Sequence, residues 1–204
     1  MRLIRPLRLR DFRLLWMGMT VSLIGDGIFL VALAWQVYEL SNAPTALAVV
    51  GVAMTVPQVS LLLVGGVISD RFDRRHVMIG ADVLRGTAVA VLGILVTTGS
   101  LRLWHILGIA GFYGAGTAFF GPAFDAIVPD LVPRDLLGQA NSLDQFVRPA
   151  AWRLLGPALG GWVIALSGTG GAFLLDAATF AASIACIVRM GPHPLAAEPG
   201  EGVS

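Results

Sequence analysis

Six long apolar stretches separated by short polar connections organise this chain. They cover residues 14–38, 46–69, 76–98, 103–124, 142–166 and 171–189. Each is close to the ~20 residues a helix needs to cross the hydrocarbon core of a bilayer. Turn formers close several of them: Asn42-Ala43-Pro44 after the first, Thr98-Gly99-Ser100 after the third, Ser167-Gly168-Thr169-Gly170 after the fifth. Backbone N–H and C=O groups in lipid must find partners within their own segment, so the stretches are predicted to be helices. The two-residue alternation of a membrane β-barrel is missing. The pattern predicts an all-α polytopic membrane protein with a six-helix transmembrane bundle over 14–190. A basic segment, 1–13, precedes it. A Pro-, Gly-, Ala- and Glu-containing segment, 191–204, follows it and reads as a flexible tail or linker.

Composition agrees with this reading. The 204 residues are 56% hydrophobic and 13% charged, with a mean hydropathy of +0.78. A soluble domain carries about 25% charged residues. The net charge of +1 leaves no footprint for nucleic acid. The placement of the cations is more informative than their sum. Arg2, Arg5, Arg8, Arg10, Arg13, Arg71, Arg74, Arg75, Arg134 and Arg189 fall on one side of the predicted bundle, and Arg102 alone on the other. The positive-inside rule then puts both termini in the cytoplasm, which an even number of spans requires. Ala32-Leu33-Ala34 looks like a leader-peptidase site, but the apolar run before it is too long and contains Asp26.

Charges inside the spans are the candidates for chemistry, because an ionisable group at bilayer depth is costly unless it has a partner or faces a cavity. Asp26 lies near the middle of the first span. Ser22, Asp26 and Gln36 fall within an arc of about 80° on that helix and read as one wall of a cavity, with Asp26 able to carry a proton or meet a cationic substrate. Arg153, in the fifth span, is read as a second cavity charge or as the partner of Asp26. Asp82 and Arg85 are three residues apart, and Asp144 and Arg148 four apart; both read as structural ion pairs on one helix face, the first bracing the basic turn before it. Asp176 in the sixth span is a further buried acid with no assigned partner. Tyr113, Thr117, Phe120 and Phe124 share one face of the fourth span, as a packing stripe or a hydrophobic substrate surface. Gly156 and Gly160 form a small-xxx-small pair that allows close helix approach. Cys186 is the single cysteine, so a cysteine-based zinc site is excluded. With no phosphate-binding Gly-Lys-Ser/Thr loop and scattered histidines, no enzyme, metal centre or cofactor is expected.

Three motifs carry a resemblance. Gly66-x-x-x-Asp70-Arg71-x-x-Arg74-Arg75, between the second and third spans, resembles the signature loop of the major facilitator superfamily. The run from Phe119 to Leu143 resembles the connection between helices 4 and 5 in the branch with macrolide-efflux and enterobactin-exporter-like proteins. Gly156-Pro157-Ala158-Leu159-Gly160-Gly161 resembles the Gly-Pro motif of drug/proton antiporters, although Trp152 stands where that motif has a glycine. The resemblance implies half of a major facilitator fold: six helices in a 3+3 inverted-repeat bundle. It implies proton-coupled efflux of small amphipathic molecules by alternating access. Gly66, Asp70, Arg71, Arg74 and Arg75 would form a cytoplasmic gate, with Asp70 docking on a second six-helix half. That half would be another copy or a separately encoded C-terminal unit. The expected partners are membrane lipid, a small-molecule substrate and that second half. The alternative is a truncated, non-transporting membrane remnant or an assembly partner.

Overall fold

A computed structural model describes residues 4–191. The expected tail beyond 191 therefore lies outside the described residues, as do Arg2 and His193. All the regular structure among the described residues is helical. After a short 3-10 turn, Arg5–Arg8, come α1 (Arg10–Leu40), α2 (Pro44–Arg71), α3 (Arg74–Thr97), α4 (Leu103–Leu131), α5 (Arg134–Ala150), a π turn (Ala151–Leu155) and α6 (Gly156–Val188). Five helical runs are long and apolar enough to cross a membrane, counting Arg134–Val188 as one.

That last run is not straight. Gly168 has φ +72° and ψ 178°, which no helix tolerates and which glycine adopts at no steric cost. The contacts on α1 show what happens there. Gly156 meets Gly27, Gly160 meets Ile28 and Val31, and the Thr169 hydroxyl donates to Gln36. Beyond Gly168 the order inverts: Asp176 and Thr179 meet Gly25, then Ser183 and Cys186 meet Gly18. The chain reverses at Gly168 and returns along α1.

Local chemistry sets the other boundaries. Pro44 sits in the first turn of α2, where its missing N–H costs nothing. The Asp73 carboxylate caps α3 by accepting from the Arg75 N–H at 2.9 Å. Gly99, at φ +68°, ends α3, with the Ser100 N–H donating to the Leu95 carbonyl at 3.0 Å. Pro149 and Pro157 each remove a rung of the helical ladder, and the residues between them re-register as the π turn. α4 runs on to Leu131 and α5 starts at Arg134, both further into the polar sequence than the apolar stretches predict. α5 buries only Ala140 and Leu143 and exposes Arg134, Asp135, Asn141, Ser142 and Gln145. A hydropathy pattern sees only apolar positions, so it stops where such a helix becomes amphipathic.

Five helices pack pairwise through glycine. α1 lies on α6, α2 on α4, and α3 between α4 and α6. A Cβ on Gly65 or Gly114 would collide with a backbone carbonyl across the α2–α4 contact, that of Ala118 or Met54 respectively. On the α1–α6 contact, a Cβ on Gly156 would lie 2.6 Å from Gly27 Cα. Backbones in such proximity gain dispersion contacts and need small residues. Two apolar clusters result. One gathers Phe12, Leu15, Met19, Met78, Phe124 and Ile127; the other gathers Ile28, Phe29, Val89, Leu92, Phe173 and Phe180. Gly156→Val is expected to destabilise the fold by about 1–3 kcal/mol or more, because a backbone rather than a flexible side chain blocks the new atoms. Gly161→Ala is the control, since its Cβ would meet nothing within 4 Å. The thermal midpoints of the two variants in detergent check this.

Candidate functional site

Between the two apolar clusters lies a buried group of charges. Asp26 of α1 is 5% exposed, Asp82 and Arg85 of α3 are 0% and 4% exposed, and Asp176 of α6 is 0% exposed. Arg85 stands at the centre. Its Nη2 donates to Asp82 Oδ1 at 2.5 Å, and its Nη1 lies 3.7 Å from Asp26 Oδ2. The other oxygen of Asp26 accepts from the Tyr113 hydroxyl at 2.7 Å. Tyr113 is held in turn by stacking on Phe29, with ring centroids 4.6 Å apart. The guanidinium carbon of Arg85 is 4.7 Å from the ring centroids of both Phe120 and Phe180. Such cation–π contacts strengthen when the cation is desolvated.

Asp176 completes the group. Its carboxyl and the Thr179 hydroxyl fill the space that a side chain on Gly25 would need, one residue before Asp26. Thr179 donates to Asp176 Oδ1 at 3.1 Å. The second oxygen of Asp176 is buried and accepts no hydrogen bond among the described residues, and Asp82 has the buried Ser183 hydroxyl of α6 beside it. Gly116 makes room for the stem of Arg85, whose Cγ would lie 2.6 Å from a Cβ placed there.

Asp26 and Arg85 open onto a cavity of about 290 Å³, with Ser22, Gln58, Tyr113, Thr117, Phe120, Arg148 and Trp152 on its walls. Most of its surface is apolar, and its charges converge from α1, α3 and α5, which is the usual make-up of a small-molecule site. Arg148 reaches it while held by Asp144, with Nε–Oδ2 at 3.1 Å and Nη2–Oδ1 at 3.2 Å, and by Asp125 at 3.8 Å. A second hollow, about 420 Å³, lies beyond these acids and is walled by Phe12, Trp16 and Phe124.

The profile of the transmembrane secretion effector family, a branch of the major facilitator superfamily, matches residues 3–199. The chain belongs to this family. It is therefore a multi-pass membrane protein whose relatives are transporters. It is 31% identical over 151 residues to macrolide efflux protein A of Streptococcus pyogenes, covering 71% of this chain and 37% of that protein. It is 30% identical over 172 residues to the multidrug efflux pump Tap of Mycobacterium bovis, covering 81% of this chain and 41% of the pump. An uncharacterised major facilitator-type transporter of Bacillus subtilis, YfiS, is 26% identical over 162 residues, covering 79% of this chain and 37% of the relative. The chain thus spans about two fifths of the length of these relatives. No solved structure matches it.

Within this major facilitator protein, the structure separates the sequence candidates. Asp26 and Ser22 line the cavity, and so do Tyr113, Thr117 and Phe120 of the α4 stripe. Gln36 does not: it is buried near the far end of α1, where it accepts from Thr169 and pins the reversal at Gly168. Arg153 does not either. It is exposed, with its guanidinium 5.3 Å from the Trp152 ring. The π turn carries an extra residue, so the side chain that faces inward there is Trp152. Arg85 takes the place expected for Arg153 beside Asp26. A count along α3 could have found it: eleven residues past Arg74 is about 16 Å along the axis, well inside the membrane rather than at the basic turn.

The signature loop divides as well. Arg75 donates to the carbonyls of Ile187, Val188 and Gly191 at 3.0, 3.3 and 2.8 Å, satisfying the open end of α6. Arg74 pairs with Asp130 and donates to the Ala126 carbonyl at 3.0 Å, tying α3 to α4. Asp70 and Arg71 are exposed and make no ion pair among the described residues. A Cβ on Gly66 would meet nothing within 4 Å.

Proposed function

We propose that this chain is the N-terminal six-helix half of a secondary active transporter that exports small amphipathic molecules in exchange for protons. The observation that carries the reading is the charge balance of the buried group. One guanidinium pairs with two carboxyls and a third, Asp176, is buried in the same group, beside an apolar cavity. Ion pairing alone leaves that group negative in a region of low dielectric, where uncompensated charge is expensive. Protons or a cationic ligand must supply the balance. Asp26, the acid that borders the cavity, is the group where the two can compete. Loading a proton then releases substrate, and losing it readies the site for the next molecule. The export direction and the amphipathic substrate class rest on the macrolide and multidrug efflux proteins to which the chain is similar.

The reversal at Gly168 supports six crossings, with α1–α3 and the segments from α4 onward as two three-helix repeats. The arginine distribution supports cytoplasmic termini. A second six-helix unit is supported by α2, which buries only Ala46, Val50, Gly65 and Ser69. Leu63 is 83% exposed on it, and Gly66, Asp70 and Arg71 continue this open surface to the helix end. That face matches what a docking half needs: apolar contact, one glycine with free space and one unpaired acid. Alternating access would rock the two halves about the Asp26 cavity, with Asp70 and Arg71 at the gate.

The test is to delete the gene at its own locus, where any second unit is still made, and to follow accumulation of ethidium and of a macrolide. Higher accumulation in the deletion strain, reversed by the gene in trans, is the expected result. Equal accumulation of both probes in deleted and complemented cells would remove the proposal.

A further inference from the structure

Arg85 has two acids within reach and is not shared evenly between them. It bonds Asp82 at 2.5 Å and stands off Asp26 at 3.7 Å. The two acids differ in surroundings. Asp26 borders the cavity, whereas Asp82 is 0% exposed and not among the cavity walls. The guanidinium is held between aromatic rings, one from each of the two helices flanking α3: Phe120 of α4 and Phe180 of α6, both at 4.7 Å. Rings attract a cation without a directional hydrogen bond. They restrain the guanidinium between the helices but do not decide which carboxylate it serves. Gly116 leaves the stem room beside α4.

We infer that Arg85 is a two-position counter-ion, resting on Asp82 while Asp26 carries a proton or a cationic substrate and moving about 1 Å toward Asp26 when that acid stands ionised and empty. This rests on the reading of Asp26 as the coupling acid and adds a residue to it. Asp82 becomes a positioning residue: it never meets substrate, and it acts by competing for Arg85. A structural ion pair would only hold α3 together. A competing acid also sets how readily Asp26 gives up its proton. The groups facing Arg85 are Asp26 from α1, Asp82 from α3 and Tyr113 from α4, with Asp176 of α6 feeling its charge from further off. Arg148 of α5 lines the same cavity, and α2 brings only uncharged Met54 and Gln58.

The two roles separate in an experiment that needs no transport. A hydrophobic carbodiimide modifies a carboxyl only in its protonated form, and mass spectrometry of the purified, lipid-reconstituted protein counts the modified Asp26. The pH at half-labelling of Asp26 is measured in the natural protein, in Asp82→Asn and in Asp82→Glu. With Asp82 neutral, Arg85 serves Asp26 alone, so half-labelling should move to lower pH by about one unit or more. Asp82→Glu should return it to the natural value. Asp82→Ser replaces the asparagine variant if that one is not recovered folded. An unchanged midpoint in a folded Asp82→Asn or Asp82→Ser protein overturns the inference, and so does a shift of the same size on an Arg85→Met background, since a fixed charge would act on Asp26 without Arg85. If instead the midpoint moves but accumulation of ethidium and macrolide is the same with and without the gene, the switch stands and the efflux reading falls.

Discussion

Arg85→Met is expected to destabilise the folded protein by about 3–5 kcal/mol, the cost of removing one partner from a buried ion pair. Methionine fills a similar volume between Phe120 and Phe180, so packing loss is small. What it leaves behind is expensive: Asp82 loses its donor at 2.5 Å and Asp26 its nearest cation. Asp82 cannot turn to water, since it is fully buried, and Asp26 reaches only the narrow cavity it borders. The thermal midpoint in detergent should fall steeply, together with the amount of protein recovered from the membrane. Adding Asp26→Asn and Asp82→Asn to Arg85→Met should recover much of the loss, because a neutral, well-packed replacement for a buried charge group is often tolerated. A single Arg85→Met variant that melts with the natural protein would mean that the three charges are not coupled as described.

Asp26→Asn is the second large effect, and its signature is the opposite. The variant should fold, since the carbonyl oxygen of the new amide can still accept from Tyr113 and Arg85 keeps Asp82. The amide cannot carry a proton. Efflux of ethidium and of a macrolide should therefore fall at least about tenfold, the scale of ~1.4 kcal/mol or more in coupling, with little change in thermal midpoint. Asp26→Glu restores the proton site on a longer stem and should recover part of the activity. Cellular accumulation of the two probes, normalised to the amount of folded protein, measures this directly. Accumulation equal to that of the natural protein would remove Asp26 from the coupling role.

These two residues also show how far the sequence was readable. Asp26 could be singled out because an acid between Gly25 and Gly27, deep in an apolar run, has few cheap explanations. The polar positions along α1 put Ser22, Asp26 and Gln36 on one face; the first two border the cavity, while Gln36 lies nearly three turns further on and is taken up by Thr169. Spacing paired Asp82 with Arg85, yet an i,i+3 pattern is blind to a third partner on another helix, and Asp26 lies far away in the chain, on α1. Arg153 was misplaced for a local reason. Helical periodicity assumes 3.6 residues per turn, and the π turn between Pro149 and Pro157 breaks that count. The reversal at Gly168 was legible in Ser167-Gly168-Thr169-Gly170, because only glycine reaches φ +72° without strain. The extensions of α4 and α5 were not, because their outward residues are polar and their few buried ones give no apolar run.

The measurement that bears most directly on the account is macrolide uptake into everted membrane vesicles prepared from cells expressing the gene at its own locus, with an imposed pH gradient, acidic inside. The account predicts uptake that rises with the gradient, stops when an ionophore collapses it, and is lost in Asp26→Asn while the protein stays folded. Uptake that continues without the gradient, or that Asp26→Asn leaves intact, would contradict a buried carboxyl exchanging protons for substrate.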